Sequence, residues 1–221
     1  MRLLFLGPPG AGKGTQAKLV AEKFGLIHIA PGDIFRQEVR ADTDLGRVVE
    51  GIMAEGRLVP DDITTQIIEK RIASPEAANG FVLDGFPRNI AQAGALTKLL
   101  EARNDRLNLV INLEVPEEEL VGRSRTRRVC SGCGKPYNIK LEPPRIEGKC
   151  DVCGGALIAR EDDQESTVRQ RLKLYHEVTE PLFEYYNRDE IVVSINGCGD
   201  VDLIFERIVE SLEKKGLSGK R

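Results

Sequence analysis

A glycine-rich segment near the start of the chain has the residue types that bind phosphate groups. It reads Gly7-Pro-Pro-Gly-Ala-Gly-Lys-Gly-Thr15 and fits the pattern G-x-x-x-x-G-K-[ST], except that Gly14 takes the last position and Thr15 follows one residue later. Glycines allow backbone N–H groups to turn inward around a phosphate, and Lys13 adds a positive charge. An apolar stretch precedes the loop and helical spacing follows it, as this motif requires. The segment therefore predicts a phosphate-binding loop.

Four cysteines form two close pairs, Cys130 with Cys133 and Cys150 with Cys153, and sixteen residues separate the pairs. This spacing is typical of a Cys₄ metal site, and the glycines after each pair suit tight turns around thiolates. Such a closed tetrahedral site would be structural. Zinc is the favoured metal and iron the alternative, whereas two disulfides are disfavoured in a reducing compartment. Cys198 has no sequence partner, and we interpret it as an ordinary small residue near a strand end.

Apolar stretches alternate with helical patterns along the chain. Short strands are predicted over residues 3–6, 26–29, 81–83, 107–113 and 191–195, and helices over 15–24, 163–187 and 201–212. The repetition of strand, helix and strand predicts a parallel sheet covered by helices on both faces. Pro181 should kink the helix over 163–187 or mark its weak point.

Composition and charge narrow the class of protein. The 221 residues are 41% hydrophobic and 30% charged, as in soluble globular proteins, and their net charge of −3 disfavours a nucleic-acid partner. No apolar run reaches the roughly 18 residues that a membrane span needs, and the first apolar stretch is too short for a signal peptide. We therefore expect a cytoplasmic protein, monomeric by default, with a disordered tail only over residues 216–221.

Three motifs together resemble the nucleoside monophosphate kinases, and adenylate kinases with a long lid in particular. They are the phosphate loop with Gln16, the stretch Phe81-Val-Leu-Asp-Gly-Phe-Pro-Arg88 followed by Gln92, and the stretch Asp162-Asp-Gln-Glu-Ser-Thr-Val-Arg-Gln-Arg171. The resemblance runs almost end to end. It implies reversible, direct in-line phosphoryl transfer from Mg·ATP to AMP, which yields two ADP and maintains the balance of adenine nucleotides.

The resemblance also implies how the chain is divided. A P-loop core with a five-stranded parallel sheet would comprise residues 1–29, 60–126 and 165–221. Residues 30–59 would form a helical segment that binds the monophosphate, here called the acceptor segment. Residues 127–164 would form a small lid stapled by zinc, since this insert is too small for a core of its own.

The resemblance also implies roles for the residues of this sequence that match functional positions of the family. Arginine suits phosphate because its planar fork stays charged, and a carboxylate such as Asp84 can organise Mg²⁺ through its water shell. Catalysis is assigned to Lys13, Asp84, Arg88, Arg123, Arg160 and Arg171. ATP binding is assigned to Gly10, Ala11, Gly12, Lys13, Gly14, Thr15, Arg123, Arg127, Pro136, Tyr137 and Gly199. AMP binding is assigned to Pro31, Arg36, Arg57, Leu58, Val59, Gly85, Phe86, Pro87, Arg88, Gln92, Arg160 and Arg171, with Asp33 also on this side.

Several alternatives stay open. Pro31 stands where the family usually has threonine, so a hydroxyl is missing on the acceptor side, and a kinase with a different or relaxed acceptor base is the main alternative. A P-loop hydrolase would leave the Asp84–Arg88 stretch unexplained. A zinc-ribbon protein that binds nucleic acid would suit the cysteines but not the acidic charge. Arg103, Arg106 and Arg188 are interpreted as solvated, and Arg125 and Arg128 stay undecided.

Overall fold

The computed structural model describes residues 1–218, and residues 219–221 of the predicted tail lie outside it. The strands are β1 (Arg2–Leu6), β2 (Ile27–Ile29), β3 (Phe81–Asp84), β4 (Leu109–Glu114), β5 (Arg127–Cys130), β6 (Pro136–Asn138), β7 (Leu157–Ile158) and β8 (Val192–Asn196). The α-helices are α1 (Lys13–Phe24), α2 (Pro31–Arg40), α3 (Asp44–Ala54), α4 (Asp61–Ala73), α5 (Ile90–Glu101), α6 (Glu117–Thr126), α7 (Glu165–Leu174), α8 (Leu182–Asn187) and α9 (Val201–Lys214).

The main sheet has five parallel strands in the order β2-β3-β1-β4-β8, which confirms the predicted fold class. Side chains alternate along β1, so Leu3 and Phe5 point to one face and Leu4 and Leu6 to the other. The first face packs against α1, α6, α7 and α9, and the second against α4, α5 and α8. Both faces are thus buried, as a parallel sheet requires.

The acceptor segment has an apolar cluster of its own. Phe35 of α2 packs with Val49 of α3 and with Val59, and all three side chains are buried. Thr43 caps α3 by accepting a hydrogen bond from the N–H of Gly46 at 3.0 Å. The predicted short helices are therefore present in this segment, and they pack against each other.

The lid contains a second, antiparallel sheet in the order β6-β5-β7. Its small core consists of Cys130, Tyr137, Cys150 and the partly buried Leu157. So few apolar residues supply little hydrophobic stabilisation, which is consistent with a need for a metal staple.

The predicted weak point of the helix over 163–187 is confirmed. A π turn over Tyr175–Thr179 follows α7 just before Pro181, and it closes with a bond of 2.8 Å from the Glu180 N–H to the Tyr175 carbonyl. Pro181 has no N–H and its ring clashes with the carbonyl four residues earlier, so the wider turn accommodates it. The predicted disorder does not begin at Gly216, which adopts a φ of 73° to end α9, and Leu217 packs on the core.

Across the described residues, helices are too short or too polar to cross a membrane.

Candidate active site

The phosphate loop connects the end of β1 to the start of α1. Gly7 has a φ of 131°, and a Cβ on it would lie 2.6 Å from the Leu113 carbonyl oxygen, so only glycine fits. Gly12 has a φ of 91° and caps α1. The Lys13 ammonium donates to the carbonyl oxygens of Gly7 at 2.6 Å and Pro8 at 2.8 Å. The loop therefore holds its lysine inward, where a bound phosphate would lie.

Asp84 ends β3 beside this loop. Its Oδ2 lies 3.1 Å from where a Cβ on Gly14 would stand, so a side chain at position 14 would crowd the carboxylate. Burial raises the pKa of Asp84, but His28, whose Nε2 lies 3.6 Å from Oδ2, and the charge of Lys13 outweigh it and lower that pKa overall. The carboxylate is therefore ionised at neutral pH. The sequence alone does not indicate a role for His28, because only the pairing of β2 with β3 brings it near Asp84.

A cavity of about 260 Å³ lies over the phosphate loop. Residues of the core, the acceptor segment and the lid line it together. Among them are all the residues assigned to ATP, which are Gly10, Ala11, Gly12, Lys13, Gly14, Thr15, Arg123, Arg127, Pro136, Tyr137 and Gly199. The arginines Arg36, Arg88, Arg160 and Arg171 also line it. So many cations around one cavity fit a highly charged anion.

The positive charges repel one another. Burial lowers the pKa of Lys13 to about 8, and Arg88 and Arg171 act in the same direction against the attraction of Asp84. Burial likewise lowers the pKa of Arg88 to about 10, with Arg171 adding to the effect. An anion bound among these groups would relieve this repulsion.

Two carboxylates, which the sequence motifs do not assign a role, bind three of the arginines. Asp162 accepts from Arg160 at 2.8 Å and from Arg171 at 2.7 Å. Burial raises the pKa of Asp162, but the charges of Arg160 and Arg171 hold it at about 2. Asp163 pairs with Arg127 at the base of the lid. The two acidic residues were visible in the third motif, but which arginines they meet depends on the fold.

A second, smaller cavity of about 50 Å³ adjoins the acceptor segment. The assigned residues that line it are Pro31, Arg36, Arg57, Leu58, Val59, Gly85, Arg88, Gln92 and Arg171. Phe86 does not line it and is fully buried in the core, while Pro87 lines a neighbouring cavity and Arg160 lines the main one. Gly85, Arg36, Arg88 and Arg171 line both the main and the smaller cavity. The two cavities therefore meet at these residues.

The other polar residues on the acceptor side hold each other. Asp33 lies 2.5 Å from Arg36 and 3.3 Å from Lys18. Burial raises the pKa of Asp33, but Arg36 and Lys18 together hold it at about 2. Pro31 is the first residue of α2, where its missing N–H leaves no helical bond unmade.

Five further arginines of the described residues line neither of these two cavities. Arg103, Arg106 and Arg188 are exposed, in agreement with the sequence interpretation. Arg125 is exposed and pairs with Glu165, and Arg128 donates to backbone carbonyls at the start of the lid.

The four paired cysteines of the lid come together. Their Sγ atoms all lie within 4.8 Å of one another. The Cys130 and Cys153 sulfurs are 3.4 Å apart and those of Cys133 and Cys150 3.6 Å apart, close to the roughly 3.8 Å of a tetrahedral site with Zn–S bonds of about 2.3 Å. Backbone N–H groups also face Cys130 and Cys150, at 3.4 Å in each case. The cluster therefore fits zinc.

The structure adds contacts for two further residues, Tyr137 and Cys198. The Tyr137 hydroxyl accepts from the Asp151 N–H at 2.8 Å and lies 3.4 Å from the Cys150 sulfur, so it supports the cysteine cluster while the residue lines the main cavity. Cys198 lies outside the cluster, and a hydrogen bond to Glu119 raises its pKa.

The parallel sheet, the phosphate loop at its edge and the cation-lined cavity define a P-loop protein that binds nucleotides. A family model for adenylate kinase matches residues 5–191. Curated adenylate kinases of Thermodesulfovibrio yellowstonii and Methanothrix thermoacetophila are 48% and 47% identical, over 97% of this chain and 100% and 99% of their own lengths. That of Streptomyces avermitilis is 45% identical, over 99% of this chain and its full length. The chain belongs to the adenylate kinase family.

Proposed function

We propose that this enzyme transfers the terminal phosphoryl group of Mg·ATP directly to AMP, reversibly, and so forms two ADP. The observation that carries the proposal is that Arg88 and Arg171 line both cavities. A phosphoryl group that moves between two nucleotides needs neutralisation at the point where the two phosphate chains meet. Arginines shared by the cavities are in the right place to provide it.

On the donor side, the loop N–H groups and Lys13 would bind the triphosphate, and Arg123 and Arg127 would neutralise it. Arg123 is oriented by its bonds to Glu119 at 2.5 Å and to the Gly197 carbonyl at 2.8 Å. The donor base would lie near Pro136, Tyr137 and Gly199, which line the same cavity. This division would bring the reacting end of ATP beside the acceptor cavity.

On the acceptor side, Arg36 and Arg88 would bind the phosphate of AMP and Gln92 its base. Arg160 and Arg171 would stabilise the charge of the phosphoryl group in transit, since planar guanidinium groups match its oxygens. We assign no covalent intermediate. The contribution of these residues is alignment and charge stabilisation, which suffice for this reaction.

The ionised carboxylate of Asp84, beside Gly14 of the loop, fits a role in organising Mg²⁺. When bound, Mg²⁺ would neutralise phosphate oxygens of ATP through an incomplete water shell.

We infer that the acceptor segment (residues 30–59) and the lid (127–164) close over the core as separate domains. Gly56 of the acceptor segment lies against Thr167 and Arg171, and Arg40 lies against Gly134 of the lid. Closure would exclude water, which otherwise competes with AMP for the phosphoryl group. Zinc bound to the cysteine cluster would stabilise the lid, and we expect the enzyme to act in the cytoplasm as a monomer, without a nucleic-acid partner.

A panel of acceptors tests the proposal. With Mg·ATP fixed, kcat/KM would be measured for AMP, GMP, CMP and UMP. We expect AMP to be preferred by about a hundredfold or more, because a site that pairs polar groups rejects a mismatched base. Equal rates for the four acceptors would refute the assignment of AMP.

A further inference from the structure

The side-chain amide of Gln92 is held between two groups of opposite hydrogen-bonding character. Gln92 is 3% exposed. Its Oε1 accepts from the backbone N–H of Arg88 at 2.7 Å, and its Nε2 donates to Oδ1 of Asp61 at 2.6 Å. A backbone N–H can only donate and an ionised carboxylate can only accept. Rotating the amide by 180° would set donor against donor at Arg88 and acceptor against acceptor at Asp61.

Asp61 is itself fixed in place. It is the first residue of α4, and both of its carboxylate oxygens accept from the side-chain amide of Asn89, at 3.1 and 3.0 Å. The Oδ1 of Asn89 in turn accepts from the Gln92 N–H at 2.8 Å and caps α5. The carboxylate is therefore anchored to the same turn that carries Gln92, and the two side chains form one network.

The position of Asp61 separates it from the substrate. Gln92 lines the smaller cavity, whereas Asp61 is not among the described residues that line it. Gln92 is therefore the residue of this network through which Asp61 can act on the acceptor base. In this arrangement, Asp61 controls the orientation of the Gln92 amide and does not itself contact the base.

We propose that Asp61 is a positioning residue that sets the base preference of the acceptor site. The inference rests on the proposed contact between Gln92 and the base. With the amide fixed, the second N–H of Nε2 and the second lone pair of Oε1 are left for the base. They complement adenine, which offers an acceptor ring nitrogen and a donor amino group. Hypoxanthine and guanine instead offer a donor ring N–H and an acceptor carbonyl oxygen at these two positions. They would therefore pair only with the rotated amide of Gln92, and Asp61 opposes that rotation.

The variant Asp61→Asn tests this proposal. An asparagine amide can present either a donor or an acceptor to Gln92, which leaves only the Arg88 N–H to oppose rotation. The probe is IMP, because hypoxanthine reverses the hydrogen-bonding edge of adenine without adding the guanine amino group. We expect the ratio of kcat/KM for AMP to that for IMP to fall about tenfold, mainly through a higher KM for AMP. Asp62→Asn is the matched control, since Asp62 is the exposed neighbour, and it should leave the ratio unchanged.

A third variant distinguishes the positioning role of Asp61 from the proposed contact between Gln92 and the base. Gln92→Ala should lose most of the preference for AMP over IMP. If it does while Asp61→Asn keeps the original ratio, the role of Asp61 is refuted and the base contact stands. If Gln92→Ala also keeps the ratio, the base contact itself is wrong. Equal losses for AMP and IMP in Asp61→Asn would show a merely structural role and overturn the inference. Both acceptors are measured on one preparation, so any unfolded fraction cancels from the ratio.

Discussion

Lys13 illustrates how the site is prepared for an anion. The carbonyl oxygens of Gly7 and Pro8 hold its ammonium group, while nearby arginines destabilise the charged form. Burial is the main reason that its pKa falls to about 8. The lysine is therefore close to losing its proton in the free enzyme. Phosphate oxygens of a bound nucleotide would stabilise the protonated form and raise the pKa of Lys13 again.

This pKa predicts an alkaline limit to activity. As the pH rises through about 8, Lys13 becomes neutral and its attraction for phosphate is lost, so kcat/KM for ATP should fall by about tenfold per pH unit above that value. The pH profile of kcat/KM reports the free enzyme and is the measurement to make. The Lys13→Arg variant should not show this alkaline decrease in kcat/KM, whatever its absolute activity, because arginine stays charged to above pH ~12. A wild-type profile that stays flat to about pH 9.5 would contradict the assignment.

Pro31 predicts a gain of function. It lines the smaller cavity without a side-chain donor or acceptor. Pro31→Thr would place a hydroxyl there, and we expect kcat/KM for AMP to rise roughly threefold or more, since one neutral hydrogen bond is worth about 1 kcal/mol. The AMP-to-GMP ratio should rise with it. Pro75→Thr is the control, because Pro75 is exposed at the start of another helical turn. An unchanged ratio in Pro31→Thr would show that this position does not face the base.

His176 joins two helical elements that border the lid. Its Nε2 lies 2.7 Å from Glu117 at the start of α6, and its Nδ1 lies 2.9 Å from Glu180, which follows the π turn after α7. The hydrogen bond to Glu180 raises the pKa of His176, and Glu117 adds to the effect. A protonated His176 therefore links the two elements more strongly than a neutral one.

The raised pKa gives a testable dependence of stability on pH. Protonated His176 stabilises the folded protein fully at pH values below about 6.5, its pKa in the unfolded chain. This stabilisation is lost as the pH rises through the higher pKa of His176 in the folded protein. His176→Gln should thus lower the free energy of unfolding more at about pH 6 than at about pH 8.5. The side chain is 42% exposed, so we expect a small effect, below about 1 kcal/mol. Thermal melts of both proteins at both pH values measure it. A difference that grows with pH would show the opposite sign and exclude this explanation.

The strands and the phosphate loop could be predicted from the sequence because their signals are local. Apolar runs such as residues 3–6 and the glycine pattern after them need no knowledge of distant residues. The π turn before Pro181 could not, because the way a helix adjusts to proline depends on its packing. Nor could the pairing of Arg127 with Asp163, 36 positions apart, since chain folding alone brings them together. The cysteine cluster was predictable despite its span because metal spacing is itself a sequence pattern.

In the molecule as a whole, the lid combines the cysteine cluster, a small sheet and arginines that line the main cavity. Its core is too small to be stable through hydrophobic burial alone, so the metal should determine whether the lid keeps its shape. The lid carries Arg127 and Arg160, which line the main cavity, so losing that shape would also disturb the donor side of the site.

Metal removal tests this dependence. We expect about one zinc per chain in the purified protein and, after chelation, faster proteolytic cleavage within residues 127–164 than in the core. Cys133→Ser should lose the metal and show the same cleavage. Cys198→Ser is the matched control, because Cys198 lies outside the cluster. This variant should keep both the metal and the resistance of the lid to proteolysis. Wild-type protein without bound metal, or a lid equally resistant after chelation, would argue against a structural site.

The balance of products from Mg·ATP and AMP tests whether the phosphoryl group passes directly between the two nucleotides. Purified enzyme would be followed simultaneously for ADP formation, AMP consumption and release of inorganic phosphate. Direct transfer from ATP to AMP predicts two ADP for each AMP consumed and no phosphate release above background. Lys13→Ala should lower kcat/KM at least a hundredfold, in keeping with the loss of a charge-stabilising group. Phosphate release that does not depend on AMP would contradict direct transfer between the two cavities and point to a hydrolase.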